Sequence, residues 1–130
     1  MARVALAAEG VAPGLTVNDL EKSIRFYVDG LGFEISSRNE LDGKLRFVML
    51  KAGKGEMGLG QDDFAKGKDR VKGVGTRLWI GTNQDLAPLA AQAKAAGIVL
   101  DHDVMAMPWG QLAFAVTDPD GFKLTIGGKM

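Results

Sequence analysis

The chain has no cysteine and a single histidine, His102. The first absence excludes disulfides, thiolate nucleophiles and cysteine-based zinc sites, and it fits a reducing compartment. Net charge is absent too. Sixteen basic residues balance sixteen acidic ones, so no field favours nucleic acid or an anionic membrane. The one mildly basic run, Lys66 to Gly73, is interrupted by Asp69 and reads as a solvated loop. No apolar run reaches the length of a membrane span. The opening MARVALAAEGVA is cut by Glu9 and carries only Arg3 ahead of its apolar part, which makes a poor signal peptide and predicts a leading strand or an arm. The expected location is cytoplasmic. Also missing are G-x-S-x-G, a P-loop and any carboxylate pair spaced for acid–base work.

What is present is ordinary in amount: 130 residues, 46% hydrophobic and 25% charged. That suits one domain over residues 1–130, burying about two thirds of the unfolded surface.

Periodicity organises the chain into two similar halves. In the first, about residues 10–61, PGLTV is a strand. Asn18 is placed to cap a helix, with Glu21 completing a capping box. Leu20, Ile24, Tyr27, Val28 and Leu31 recur at helical spacing, and Gly30 and Gly32 stop the run. FEISSRN, KLRFVMLKA and GEMGLGQ follow as strands, parted by turns at Asp42-Gly43 and Gly53-Lys54-Gly55. A polar linking loop covers residues 62–75.

The second half, about residues 76–128, returns to the same order. TRLWIGT is a strand and NQDLAPLAAQAKAAG a helix, with Asp85 near its start, Gly97 past its end and Pro88 in its first turn. IVLDHDV and the hairpin PWGQLAFAVTDPDGFKLTI complete three strands. Leu20 with Leu86, and Gly32 with Gly97, occupy matching places, so duplication of a βαβββ unit is the economical explanation. The class predicted is α+β: two βαβββ modules forming an eight-stranded open barrel with a groove. In the final hairpin, Asp118-Pro119-Asp120-Gly121 is the turn. Beyond it, Phe122, Leu124 and Ile126 face one way, Lys123 and Thr125 the other.

LTVNDLEKSIRFYVDGLGFE, Leu15 to Glu34, resembles the first-module signature of the vicinal oxygen chelate superfamily, which includes glyoxalase I, fosfomycin-resistance proteins, extradiol dioxygenases and bleomycin-resistance proteins. PWGQLAFAVTDPDGFKLTI resembles its final hairpin. The resemblance implies the fold and leaves the function open, because the superfamily hosts very different activities. In its metal-dependent members four ligands, usually His and Glu from each module, converge from four strands. Carried onto this chain, those positions are Ala12, Gly58, Thr76 or Arg77, and Thr125. None supplies the expected ligand. Divalent metals take several imidazole or carboxylate donors within about 2.0–2.6 Å, and a threonine hydroxyl is a poor neutral substitute. A set of His102, Glu56 and Asp103 is the alternative, but His102 reads more simply as a surface or pocket-rim residue. The expectation is no metal and no cofactor.

Without a metal the groove remains as a binding site. Trp109, at the mouth of the final hairpin, and Trp79, in the middle of its strand, offer indole rings for planar or cationic ligands, although a mid-strand tryptophan is more often core. Met49, Met57, Met105 and Met107 suit a pocket that accepts varied apolar shapes, and suit irregular cores equally. Arg46, Arg77, Lys123, Gln61, His102 and Thr125 would orient a polar ligand. The function this predicts is a metal-independent small-molecule binding protein of the glyoxalase/bleomycin-resistance group, in antibiotic or toxin sequestration, acting as a homodimer. The alternative is a glyoxalase-like lyase or isomerase, or a dioxygenase-related enzyme, with a relocated metal.

Overall fold

The computed structural model describes residues 3–128, and the internal repeat is visible in it as two four-stranded sheets of the same order. The first module runs β1 (Gly14–Val17), α1 (Leu20–Arg25), a π-helical turn (Phe26–Gly30), β2 (Glu34–Leu41), β3 (Lys44–Ala52) and β4 (Gly55–Gln61). The second runs β5 (Arg77–Thr82), α2 (Leu86–Ala95), β6 (His102–Ala106), β7 (Leu112–Thr117) and β8 (Lys123–Gly128). The sheet orders are β1-β4-β3-β2 and β5-β8-β7-β6. In each, the opening strand pairs parallel with the last, and the other pairs are antiparallel. The fold is α+β, and its eight strands form two curved sheets that are not closed into one barrel within the chain.

Alternation along the strands gives each sheet an inner and an outer face. Leu15, Val17, Val48, Leu50 and Leu59 from the first sheet meet Phe114, Val116 and Leu124 from the second in one apolar cluster. Leu20, Ile24 and Tyr27 of the first helical segment, with Leu86 and Ala90 of α2, complete it. The inner faces and the helices share this core. The outer faces point away from it.

The helices start on side-chain caps, but the first cap is one residue later than the sequence suggests. Asp19, not Asn18, is extended and accepts from the Lys22 backbone N–H at 3.2 Å. Asn18 is drawn away because its own N–H donates to Asp120 Oδ1 at 3.0 Å and its side chain accepts from Lys72 Nζ at 2.7 Å. Asp85 caps α2 as expected. β6 begins at His102, later than IVLDHDV implies, since Ile98 to Asp101 descend from α2 without a strand pattern. Residues 3–13 form an exposed arm without regular secondary structure; the first two residues of the sequence lie outside those described.

The two modules are joined at the Asp118–Gly121 turn. Tyr27, fully buried, donates its hydroxyl to Asp118 Oδ2 at 2.7 Å. Asp118 in turn accepts from the backbone N–H groups of Asp120 and Phe122 through Oδ1, which tightens the turn. The linking loop closes over the same place. Gly73, at φ +70°, lies so near Gly121 that a Cβ there would come within 2.2 Å of its carbonyl carbon. Lys66 to Asp69 are exposed as the composition predicts, and Arg70 and Lys72 are the charged exceptions. The Lys72 side chain is almost fully buried and pairs with the buried Asp62 at 2.8 Å, while Arg70 adds a second contact to the same carboxylate at 3.2 Å.

Candidate functional site

Strand register places most of the polar candidates of the second module together on the outer face of its sheet. Residues directly opposite one another share a face. One row therefore carries Arg77, Lys123 and Thr117, the next Trp79, Thr125, Ala115 and His102, and the third Gly81, Gly127, Ala113 and Met105. Arg77 Nη1 donates to Thr125 Oγ1 at 3.0 Å. Under that arginine and its tryptophan neighbour, Thr125 is 3% exposed. Lys123 Nζ reaches Thr117 Oγ1 at 3.4 Å, and Thr117 donates to Asp101 Oδ2 at 2.6 Å. His102 is half-buried at the rim, its Nδ1 2.9 Å from the Asp103 backbone oxygen, while the Asp103 carboxylate pairs with Lys94.

The two tryptophans meet over this face. Their ring centroids are 5.8 Å apart and the planes are inclined by 52°. Trp79 is half-buried and outside the core cluster, so the core reading of this residue is corrected: its parity puts it opposite Leu78 and Ile80, which turn inward. Its indole N–H donates to the Gly128 carbonyl at 3.2 Å. Trp109 lies in the turn between β6 and β7, is 61% exposed, and donates to Gln111 Oε1 at 3.1 Å. The turn is closed by backbone bonds between Met107 and both Gln111 and Gly110.

The other predicted residues lie elsewhere. Met49 is on the outer face of the first sheet, in one row with Gly14, Gly58 and Ser37. There a Cβ on Gly58 would come within 2.5 Å of the Phe47 ring, so that ring would have to shift. Met57 is buried in the core. Arg46 has the strand parity of Val48 and Leu50 and sits exposed at the end of β3. The Gln61 side chain ties β4 to the start of α1, accepting from the Leu20 N–H at 2.9 Å and donating to the Asn18 carbonyl at 2.7 Å. Between the modules is an open cleft of about 920 Å³ with Leu31, Phe33, Ile80 and Leu89 among its lining, and it brings Met57 and Trp79 to one cavity.

The residues at the expected metal positions do not fit a metal ion. Gly58 has no side chain, Ala12 is apolar, and on the second sheet only Arg77 shares the face of Thr125, which selects it over Thr76. A guanidinium repels a cation. Among the described residues, no group of three or more His, Cys, Asp or Glu side chains is assembled to hold one, so His102, Glu56 and Asp103 do not form the alternative set.

The family model of the glyoxalase/bleomycin resistance protein/dioxygenase superfamily matches residues 6–126. The chain belongs to this superfamily. No curated protein matches the sequence. Among solved structures, TioX from Micromonospora sp. ML1 is 18% identical with a TM-score of 0.74, covering 95% of this chain and 100% of its own. A bleomycin-binding protein complexed with bleomycin is 21% identical with a TM-score of 0.69, covering 95% of this chain and 100% of its own. A superfamily member from Sphaerobacter thermophilus DSM 20745 is 28% identical with a TM-score of 0.70, covering 95% of this chain and 98% of its own. The similarity to the first two is one of fold.

Sequence reasoning missed the junction residues. Tyr27 was legible as a buried helix residue, yet nothing in its spacing signals a partner as distant as Asp118. The pairing of Arg77 with Thr125 follows from the parallel β5–β8 register, which periodicity alone does not supply.

Proposed function

We propose that the chain is a cytoplasmic, metal-independent small-molecule binding protein that works as a homodimer. The observation that carries this reading is the outer face of the second sheet. There Trp79 lies opposite Thr125 and on the same face as Arg77, Trp109 packs on Trp79, and the fold's metal positions hold residues that cannot ligate. Indole rings contribute large contact area, and neighbouring polar groups orient what lies on them. The similarity to a bleomycin-binding protein supports sequestration of a flat ligand, an antibiotic or toxin, over turnover. A lyase or isomerase with a relocated metal would need a cluster of donors, and the described residues assemble none.

Dimerisation is supported by what the single chain leaves uncovered. Val4, Leu6 and Val11 of the arm are 93%, 92% and 87% exposed, and Met105, Trp109 and Leu112 crowd one exposed end of the second sheet. Each sheet also keeps two edge strands, which a second copy would cover. A thermal-shift screen of planar small molecules, run beside elemental analysis of the purified protein, tests the reading. Stabilisation by a planar compound in metal-free protein is the expected result. A stoichiometric metal with catalytic turnover would overturn it.

A further inference from the structure

We infer that the outer face of the second sheet takes a flat aromatic ligand bearing an acidic group, and discriminates against flat cations. This rests on the binding role proposed above and names the ligand class. Arg77 and Lys123 are direct partners in the parallel register of β5 and β8, and both are exposed. Like charges placed opposite one another on neighbouring strands repel. Neither is in an ion pair among the described residues; each contacts only a neutral threonine hydroxyl, Thr125 and Thr117 respectively.

The surrounding charges leave the excess in place. The carboxylate nearest to them through hydrogen bonds is Asp101, which is occupied by Thr117 and is one charge against two. Asp103 is neutralised by Lys94, and His102 is turned to a backbone oxygen. An anion set between Arg77 and Lys123 would relieve their repulsion, and a guanidinium with donors to spare favours a planar acid held by two parallel bonds. Trp79 is two residues along β5 from Arg77 on the same face, about 7 Å away by strand geometry. The Trp79 ring leans the other way, to the Gly128 carbonyl, so a flat ligand lying along the face from Trp79 back toward Arg77 would carry its acid substituent to the cations.

Calorimetric titration of the full chain with 2-naphthoate, 2-naphthamide and 2-naphthylmethylammonium tests this, since the ring is constant and only the charge changes. The naphthoate is expected to bind at least tenfold more tightly than the ammonium compound. The Arg77→Gln/Lys123→Gln double variant should bring the two within twofold, Arg77→Lys should keep their order, and circular dichroism should show both variants folded. Lys123→Gln alone, an exposed change, should narrow the gap partway. Equal or tighter binding of the ammonium compound, lost in Trp109→Ala, overturns the charge inference and leaves the binding role standing. A preference for naphthoate that survives the double variant also overturns it. Binding of none of the three overturns both.

Discussion

The Tyr27 hydroxyl donates to Asp118 Oδ2 at 2.7 Å, tying the π-helical turn of the first module to the final hairpin of the second. Both groups are buried, and burial is the main cause that raises each above its ordinary pKa. For Asp118 the bonds from Tyr27 and from two backbone N–H groups oppose that rise. The bond therefore shares the task of keeping a carboxylate tolerable in an apolar setting. Without it the bonds of Asn18 and Ser23 to Asp120 would remain as the hairpin's side-chain ties to the first module.

Tyr27→Phe should destabilise the protein by about 1–3 kcal/mol, because it leaves a buried acceptor short of one donor. The pH dependence has a defined sign. A carboxyl whose folded pKa lies above its unfolded value loses stability as pH rises through that interval. Removing the hydroxyl raises the folded value further, so the gap between parent and variant should widen as pH rises from about 4 to 7. Urea denaturation at both pH values measures this. A gap that is constant or shrinks would refute the assignment.

Asp62 carries the opposite sign. The side-chain bond from Lys72 is the main cause that lowers its pKa from 3.8 to about 2. A depressed carboxylate contributes stability above its unfolded pKa and loses it as pH falls through the folded one. Asp62→Asn should therefore lower the melting temperature at neutral pH, and the two proteins should converge between about pH 4 and pH 2. In a Lys72→Met background, Asp62→Asn should have much less effect, because the partner is already missing.

The repeat, the strands and the Asp85 cap were readable because alternation, helical spacing and Gly or Asp punctuation are local signals. What escaped was set by contacts across the chain. Asn18 has the chemistry of a cap, but Lys72 and Asp120 compete for it, so Asp19 takes the role. Lys72 looks like a solvated lysine until the loop folds its ammonium onto Asp62. At the candidate site the residue types were legible and their grouping was not. Thr125, Arg77, Trp79 and Lys123 became one surface only through register, while Met57, Gln61 and Arg46 were sent elsewhere by parity or by other partners.

The two tryptophans should separate in a mutant pair. Trp109→Ala removes an exposed ring whose main partner is Trp79, so it should change stability by less than about 0.5 kcal/mol. The same change should weaken binding of a planar ligand about two- to tenfold, as stacking energies predict. Trp79→Ala also loses the bond to Gly128 and the cover over Thr125, and should cost about 1–2 kcal/mol, below the 3–5 of a core aromatic. Denaturation curves and one ligand titration for each variant suffice. Unfolding of Trp109→Ala would invert the roles.

Thr125→Glu should not create a metal site. The new carboxylate would stand beside Arg77, already 3.0 Å from the threonine oxygen, and pair with it. Gly58 and Ala12 still offer no donor, and one carboxylate alone holds a divalent ion weakly. Elemental analysis after dialysis should find well under one metal per chain. Stoichiometric zinc, nickel or manganese would show that these strands converge differently.

The arm makes the most direct test of assembly. Residues 3–12 carry Val4, Leu6 and Val11 almost entirely in solvent, and among the described residues the first anchoring bond is from the Gly58 N–H to the Pro13 carbonyl at 2.8 Å. Fully burying one such side chain contributes about 1.5–3 kcal/mol, so an arm of this composition gains from lying on a second copy. Deleting residues 1–11 removes these side chains and leaves β1, the core and the Tyr27–Asp118 bond in place. Sedimentation should show the parent dimeric on the order of 10 µM and the deletion at least tenfold weaker in self-association, or about 1.4 kcal/mol. Thermal unfolding of the deletion at matched subunit concentration should show one cooperative transition. A deletion variant that dimerises as tightly as the parent would place the interface on the sheets alone, and a monomeric parent would remove the dimer from the proposed function.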